Sequence, residues 1–160
     1  MARRVKIQMQ KWNVILDDSA GTPLNLTPVG TFLIQLAQAA VSQRQSDLLC
    51  VLKHPLCLDG QDYATFRKTV HQAEKQARQT HKNMDLTLNT DLSPFMNLFV
   101  NPVRIPFAII LQEHLHVAQA LCASADRTGA ERLWAGDSGQ TASELLTQVM
   151  ANADVIGDVE

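Results

Sequence analysis

Residues 14–56 read VILDDSAGTPLNLTPVGTFLIQLAQAAVSQRQSDLLCVLKHPL, and this stretch carries the clearest structural signals of the chain. Val14, Ile15 and Leu16 form a short apolar run that is rich in β-branched residues. The DDSAG sequence that follows supplies residues that end strands and form tight turns. We therefore predict one short β segment near the N-terminus that leads into an exposed loop.

Two short helices are predicted after this loop. Thr27 and Pro28 mark the first start, because the threonine oxygen accepts a bond from a free N–H and proline fits the first helical position. Ser46 is the expected cap of the second helix, which Pro55 prevents from continuing. The two helices are expected to pack as a hairpin. The side chains expected to face inward are Phe32, Leu33, Leu36, Ala37, Ala40, Val41, Leu48, Leu49, Val51 and Leu52.

Helices are also predicted in the remainder of the chain. They are expected over residues 61–79, from Ser93 and Pro94 to Val100, and from Pro106 to about Ala125. A last helix is expected after Thr141, which would form a capping box with Glu144. The expected fold class is therefore mainly α, with about six helices and one short β segment near the N-terminus. The apolar stripe of the helix over residues 61–79 is expected to comprise Tyr63, Phe66, Val70 and Ala77.

Composition indicates one core and a reducing environment. A chain of 160 residues with 46% hydrophobic content can bury one sizeable core, so a single domain is expected. No N-terminal signal peptide and no run of about 18 apolar residues are found, so a membrane span is not expected. The three cysteines lack C-x-x-C spacing, which is typical of buried thiols in a cytoplasmic protein.

The charge pattern limits any contact with nucleic acid to a local one. A net charge of -2 argues against a freestanding high-affinity duplex binder, since phosphate contacts need clustered Lys and Arg. Most of the best basic cluster falls on one helical face, by spacings of four and three residues. The alternative is an ordinary solvated face of a helix that covers a core. The candidate DNA-contacting residues are Arg67, Lys68, His71, Lys75 and Arg78.

A thiol site is one chemical alternative. Cys50, His54 and Cys57 lie close together in sequence and could form a nucleophilic pair or a ligand set. Cys50, however, lies within the apolar run LLCVL, where a cysteine is most often a buried small hydrophobe. We therefore expect no catalytic residue in this cluster.

Metal and nucleotide sites are not expected either. His114 and His116 would project about 200° apart on a helix, so both do not readily reach one metal ion. Asp17 and Asp18 could hold a cation, but adjacent carboxylates in a turn more often bond their own backbone. No G-x-x-x-x-G-K-[ST] phosphate loop occurs, so no ATPase is expected. The chain is thus expected to have no catalytic, cofactor-binding or metal-binding residue.

The order of the motifs resembles one protein family. A short strand, DDSAG-x-PL, TP-x-GTFL and LL-x-x-LKHPL resemble the AddB subunit of AddAB helicase-nucleases, especially the alphaproteobacterial type. Residues 3–12 resemble the helix that precedes this strand in those subunits, and residues 67–78 resemble their following basic helix. The LWAG sequence at residues 133–136 resembles a further element of the family.

The resemblance implies an internal fragment of the helicase-like half of such a subunit. Residues 1–26 would be a strand and turn segment from the edge of a RecA-like domain. Residues 27–153 would form an inserted helical subdomain, and the acidic residues 154–160 are expected to fray. The fragment would be non-catalytic and would bind no cofactor. The parent family carries an iron-sulfur cluster and a divalent metal in its nuclease domain.

The family's function supplies the expected partners. The resemblance implies ATP-dependent processing of double-strand DNA ends for recombinational repair, with an AddA-type subunit providing the helicase activity. DNA would be contacted through the full complex, and no membrane partner is expected. The alternative is an independent helical protein-interaction module. An excised fragment would show an unpaired strand edge at residues 14–16 and an exposed apolar patch, whereas an independent module would show neither except at its partner site.

Overall fold

A computed structural model describes residues 8–9, 11–12, 21–80, 84, 87–100 and 104–159. Within these ranges the chain is mainly α-helical, which confirms the predicted fold class. The β segment and DDSA turn predicted over residues 14–20 lie outside the described residues. Eight α-helices occur in the described part instead of about six, because Gly129–Leu133 and Ala153–Ile156, with five and four residues, are too short to show periodicity.

The elements follow one another in a simple order. A 3-10 helix, Leu24–Leu26, precedes the first α-helix. Two strands of two residues each pair with one another near the end of the described chain. Among the described residues, no helix is both long and apolar enough to cross a bilayer. The bounds are α1 Pro28–Ser42, α2 Gln45–Leu52, α3 Tyr63–Thr80, α4 Ser93–Asn97, β1 Ile105–Pro106, α5 Phe107–Cys122, α6 Gly129–Leu133, α7 Gly136–Ala151, α8 Ala153–Ile156 and β2 Asp158–Val159.

The start of α1 is the one that the sequence predicts. Thr27 Oγ1 accepts a hydrogen bond from the Gly30 amide at 3.2 Å, and Pro28 occupies the first turn. Gly30 is required there, because an added Cβ would lie 1.9 Å from the Leu24 carbonyl oxygen. The cap and the glycine together seat α1 directly against the preceding 3-10 helix.

The predicted hairpin of α1 and α2 is also present. Phe32 and Leu36 of α1 are buried in one core with Val51 and Leu52 of α2. Val41, expected to face inward, is instead 65% exposed, because it lies on the side of α1 that faces away from the core. The hairpin therefore buries one side of α1 and leaves the opposite side exposed.

The predicted cap of α2 is wrong. Arg44 occupies the N-cap position without a side-chain bond, and Ser46 lies inside the first turn. Asp47 is the residue that organises this end: its carboxylate accepts a hydrogen bond from Ser42 Oγ at 2.6 Å. An acidic side chain in the first turn of a helix also interacts favourably with the helix dipole.

The predicted capping box of the last long helix is wrong as well. Thr141 lies inside α7, where its hydroxyl donates to the Asp137 carbonyl at 2.8 Å. The capping box occurs instead at α6, where Thr128 and Glu131 satisfy each other's backbone amides. The same Thr-x-x-Glu spacing is found at both places, and only the backbone preceding it decides which one caps a helix.

The end of the chain is ordered by pairing. Residues 154–160 are expected from sequence to fray, but Asp158–Val159 pairs antiparallel with Ile105–Pro106. The Phe107 amide also donates to the Gly157 carbonyl at 3.1 Å. These bonds hold the described end of the chain beside the start of α5.

The core is a single cluster to which nearly every helix contributes. Helix α1 packs against α2, α5 and α7, and α5 packs against α4, α6 and α8. Helix α3 joins the cluster through Phe66 and Val70, whereas Tyr63 of its predicted apolar stripe is 61% exposed. The largest fully buried apolar side chains are Phe32, Phe66, Phe95, Leu36, Leu52, Leu121, Leu133, Val51 and Val70.

Residues 53–61, here called the hub segment, connect α2 to α3 through turns. The Asp59 amide donates to the Leu121 carbonyl at 2.9 Å, and the Gly60 amide donates to the Ala123 carbonyl at 2.8 Å. Asp59 and Gly60 form the turn that their sequence predicts, with φ values of 50° and 78°. The hub segment is thereby fastened to the C-terminal end of α5.

Arg132 strengthens this attachment from the other side. Its Nη1 atom donates to the Leu56 carbonyl at 3.2 Å and also to the Cys122 carbonyl. A carbonyl at the end of a helix has no helical partner, so a guanidinium group satisfies it well. Arg132 thus connects α6, the end of α5 and the hub segment.

The Asp59 side chain joins the hub segment to the loop before α4. Its fully buried carboxylate accepts bonds from the Asn89 amide at 2.5 Å, the Thr90 amide at 2.9 Å and Thr90 Oγ1 at 2.6 Å. Asn89 Nδ2 donates in return to the Asp59 carbonyl at 2.6 Å. A buried carboxylate is tolerated here because three donors converge on it.

We expect Asp59→Asn to lower the free energy of unfolding by about 2 kcal/mol or more. Asparagine tolerates the left-handed backbone, so the change isolates the carboxylate, and its NH2 group would face an N–H donor. Urea unfolding measures the difference. Asp91→Asn is the matched control, because exposed Asp91 accepts one amide bond, from Ser93 at 2.9 Å. Similar losses for both variants would contradict this account of the hub segment.

Candidate nucleic-acid interface

The basic residues of α3 lie on its outer side. Phe66, Val70 and Ala73 face the core, and the predicted residues Lys68, His71, Lys75 and Arg78 are exposed. Asp62 directly precedes the helix, and its carboxylate accepts a bond from the Thr65 amide at 3.0 Å. The first turn is thereby capped, and the helical period then places four of the five candidate residues toward solvent.

Arg67, the fifth candidate, has a different environment. Its Nη2 atom donates to the His54 carbonyl at 2.7 Å and its Nη1 atom donates to the Leu52 carbonyl at 3.3 Å. The guanidinium carbon also lies 5.2 Å from the centre of the Tyr63 ring, within range of a cation–π contact. Arg67 therefore binds the C-terminal end of α2 and is occupied by contacts within the chain.

A groove lies beside the exposed part of α3, and we call it the basic groove. It encloses about 460 Å³ and is lined by residues of α3 together with Lys53 of the hub segment. The sequence offered one signal for Lys53, its place directly after α2, where a cation complements the helix dipole. The complete lining is Lys53, His71, Glu74, Lys75, Arg78 and Gln79.

Glu74 holds two of the cations of the basic groove. Its Oε2 atom lies 2.6 Å from Lys53 Nζ, and its Oε1 atom lies 2.6 Å from Arg78 Nη2. The hydrogen bond from Lys53, assisted by Arg78, holds the pKa of the Glu74 carboxyl below its usual range against the opposing effect of burial. Glu74 is therefore ionised at neutral pH, and the sequence pattern alone did not single it out.

The groove remains positively charged despite this carboxylate. Lys53, Lys75 and Arg78 outnumber Glu74 among its lining residues, and Lys75 forms no ion pair with any residue that the structure describes. Lys68 is exposed but does not line the groove. The arrangement can bind a small anionic group, such as one or two phosphates, at the protein surface.

The structure separates the members of the candidate thiol site. Cys50 is exposed, so the prediction of a buried thiol is wrong. It lies on the side of α2 opposite to Leu48, Val51 and Leu52. Cys57 is fully buried, and burial raises the pKa of its thiol. Reactive cysteines instead combine accessibility with a lowered pKa.

His54 completes this comparison. Its Nδ1 atom accepts a hydrogen bond from the Leu56 amide at 3.3 Å, and its Nε2 atom lies 3.2 Å from Thr31 Oγ1. Burial and, to a smaller extent, the charge of Arg67 lower the pKa of His54, which favours the neutral ring. Because Nδ1 accepts the Leu56 amide, the neutral ring carries its proton on Nε2. The ring is engaged in joining α1 to the hub segment.

The two histidines of α5 also have separate surroundings. His114 packs edge-on against Phe95 with ring centroids 5.3 Å apart, and burial lowers the pKa of its ring to about 4. His116 is exposed. Over the described ranges, no group of three or more His, Cys, Asp or Glu residues is arranged to hold a metal ion.

The outer side of α1 is apolar. Ile34 is 44% exposed and Val41 is 65% exposed, and both line a shallow depression of about 580 Å³ with Ala37 and Gln38. An exposed apolar stripe is typical of a surface that another protein or domain covers. Both the fragment interpretation and the interaction-module interpretation allow such a surface.

No family model, curated protein or solved structure matches the chain.

We expect the free energy of unfolding to fall as pH is lowered from about 6.5 to 4, partly through His114. The unfolded chain binds the proton at the ordinary pKa, whereas the folded chain resists it, so stability is lost between the two values. His114→Leu should remove up to about 3 kcal/mol of this loss. Urea unfolding across this pH range tests it. His116→Leu is the control, and an equal effect from it would contradict a role for burial.

Arg67 and Lys68 are neighbours on α3, but of the two only Arg67 is held by hydrogen bonds to other residues that the structure describes. We expect Arg67→Ala to destabilise the fold by about 2 kcal/mol, because two carbonyls at the end of α2 lose a charged donor. Lys68→Ala should change stability by less than about 0.5 kcal/mol, since Lys68 is exposed. Thermal and urea unfolding measure both variants. Equal stability of the two would show that the Arg67 contacts contribute nothing.

Proposed function

We propose that this chain is a non-catalytic helical segment of an AddB-type subunit of a helicase-nuclease. In this proposal it supports the processing of double-strand DNA ends for recombinational repair. The parent protein would act with an AddA-type subunit in the cytoplasm, and an iron-sulfur cluster and a divalent metal would belong to the parent's nuclease domain. The segment itself would contact DNA only locally.

The motif order supports the assignment to this family. TP-x-GTFL begins α1, LL-x-x-LKHPL covers the end of α2 and the start of the hub segment, and LWAG joins α6 to α7. Each motif thus coincides with a helix start, a helix end or a helix junction. Such positions restrict the residue types that fit, which gives a shared motif more weight than a shared helical period.

One observation carries the proposal of a DNA contact: the LKHPL motif supplies Lys53 to the basic groove. Two separate segments, the hub segment and α3, therefore direct cations to one surface. A helix that merely covers a core shows charge on its outer side, but it does not require a second segment to add a matching cation. Convergence of this kind is typical of an anion-binding surface.

The ligand chemistry that fits is a phosphodiester backbone. Three cations with one carboxylate provide about two net positive charges, which suffice for one or two phosphates and not for a long duplex site. With an overall charge of -2, the chain gains no long-range attraction to DNA. A guiding contact to single-stranded DNA within a larger complex therefore fits better than autonomous binding.

We expect the isolated chain to bind an oligo-dT strand weakly, with a Kd on the order of 10 to 100 μM at low salt. The slope of log K against log salt should be about -1.4, because about two phosphates are neutralised and each contributes about -0.7 on a single strand. Lys75→Ala should weaken binding about threefold or more and reduce the slope by about 0.7. Fluorescence anisotropy across a salt series measures both quantities.

Arg127→Ala is the control for this experiment. Arg127 is exposed in the turn after α5 and does not line the basic groove, so its removal changes the net charge without touching the site. Equal weakening by Arg127→Ala and Lys75→Ala would exclude a site at the groove. Submicromolar binding with a steep salt slope would instead show an autonomous DNA binder.

A second candidate is an independent protein-interaction module, for which the exposed apolar side of α1 would be the partner site. The two candidates predict different natural chain lengths. An antibody raised against residues 28–80 should detect a protein several times longer than 160 residues if the chain is part of an AddB-type subunit. Detection of a product of about this length would favour the interaction module.

A further inference from the structure

We infer that Glu74 is an internal competitor that sets the affinity of the basic groove for phosphate. This inference rests on the proposed function of the groove and adds a residue that regulates it. The carboxylate of Glu74 occupies Lys53 and Arg78 through one oxygen each, at 2.6 Å in both cases. Two oxygens of a phosphate group would make the same pair of contacts.

The burial of the three side chains differs. The Glu74 side chain is 9% exposed, whereas those of Lys53 and Arg78 are 47% and 76% exposed. The carboxylate is therefore held by the surrounding protein, and the two cations can turn outward toward a ligand. If both cations turned away, the ionised and nearly buried Glu74 would be left unpaired, so the carboxylate competes strongly for them.

Lys75 and His71 form the uncommitted part of the groove. They are exposed and line the same volume of about 460 Å³. A phosphate that binds next to them contacts Lys75 directly, but it competes with Glu74 for Lys53 and Arg78. The carboxylate also repels the incoming anion, so binding is weaker than the number of cations suggests.

Removing the charge of Glu74 should therefore have two effects. The two cations become available, and the repulsion of the ligand disappears. The Kd should fall, and the salt dependence should become steeper because more counterions are released on binding. A change in slope distinguishes this mechanism from a general increase in positive charge.

The test compares Glu74→Gln with Glu144→Gln in the whole chain, with the oligo-dT strand as the probe. Glu144 is exposed on α7, accepts a bond from Gln140 at 3.0 Å and lies outside the groove, so its substitution gives the same change in net charge. We expect Glu74→Gln to bind about fivefold more tightly at low salt, with a slope steeper by about 0.7. Glu144→Gln should bind like the wild type.

The outcomes separate the inference from the proposed function. If the wild type binds and the two Gln variants behave alike, Glu74 is not a competitor, and the DNA contact stands. If Glu74→Gln binds and the wild type does not, the inference is supported in its strongest form. If none of the three binds at low salt, both the inference and the DNA contact are overturned.

A second pair of variants covers the case in which Glu74→Gln does not fold. Lys53 is paired with Glu74, so Lys53→Ala should weaken binding less than Lys75→Ala does. Thermal unfolding confirms that both variants are folded before the comparison. A loss from Lys53→Ala that equals or exceeds the loss from Lys75→Ala would overturn the inference.

Discussion

The satisfaction of backbone groups in the hub segment is the constraint on which the rest of the structure depends. A turn-rich segment inside a helical fold carries amides and carbonyls that have no helical partner, and leaving them unpaired would be costly. The carbonyls at the end of α5 accept the amides of Asp59 and Gly60. Arg132 and the Asp59 carboxylate add further bonds from α6 and the loop before α4. Three separate parts of the chain therefore meet at one short segment, which fixes their relative positions.

The same constraint creates the basic groove. Arg67 binds the carbonyls of Leu52 and His54, which holds the end of α2 beside α3. Lys53 stands between these two carbonyls in sequence, so its side chain is carried to the outer side of α3 and reaches Glu74. Arg67 of α3 thus stabilises the fold and is not available as a surface charge. Lys53 of the hub segment supplies a positive charge to the groove in its place. The exposed charge of the site and the stability of the hub segment are in this way coupled.

Several predictions failed where more than one local arrangement fits the same residues. Cys50 lies in an apolar run, but a helix that packs on one side must expose one position even of such a run. The Thr-x-x-Glu spacing caps α6 and not α7, because α7 already begins at Gly136. The chain end pairs with β1 although its composition is typical of a frayed terminus. In each case the deciding contact is made by residues outside the pattern.

The sequence by itself determined the mainly α class, the α1–α2 hairpin beginning at Thr27 and Pro28, and the exposed basic side of α3. These features follow from capping, proline geometry and helical periodicity, which act over a few neighbouring residues. Only the tertiary structure decided that Arg67 turns to the hub segment and that Lys53 and Glu74 meet in the groove. Those contacts join different elements, and their geometry depends on how the whole core packs. Local physical rules therefore predict which charges face solvent, and the packing decides which of them remain available to a ligand.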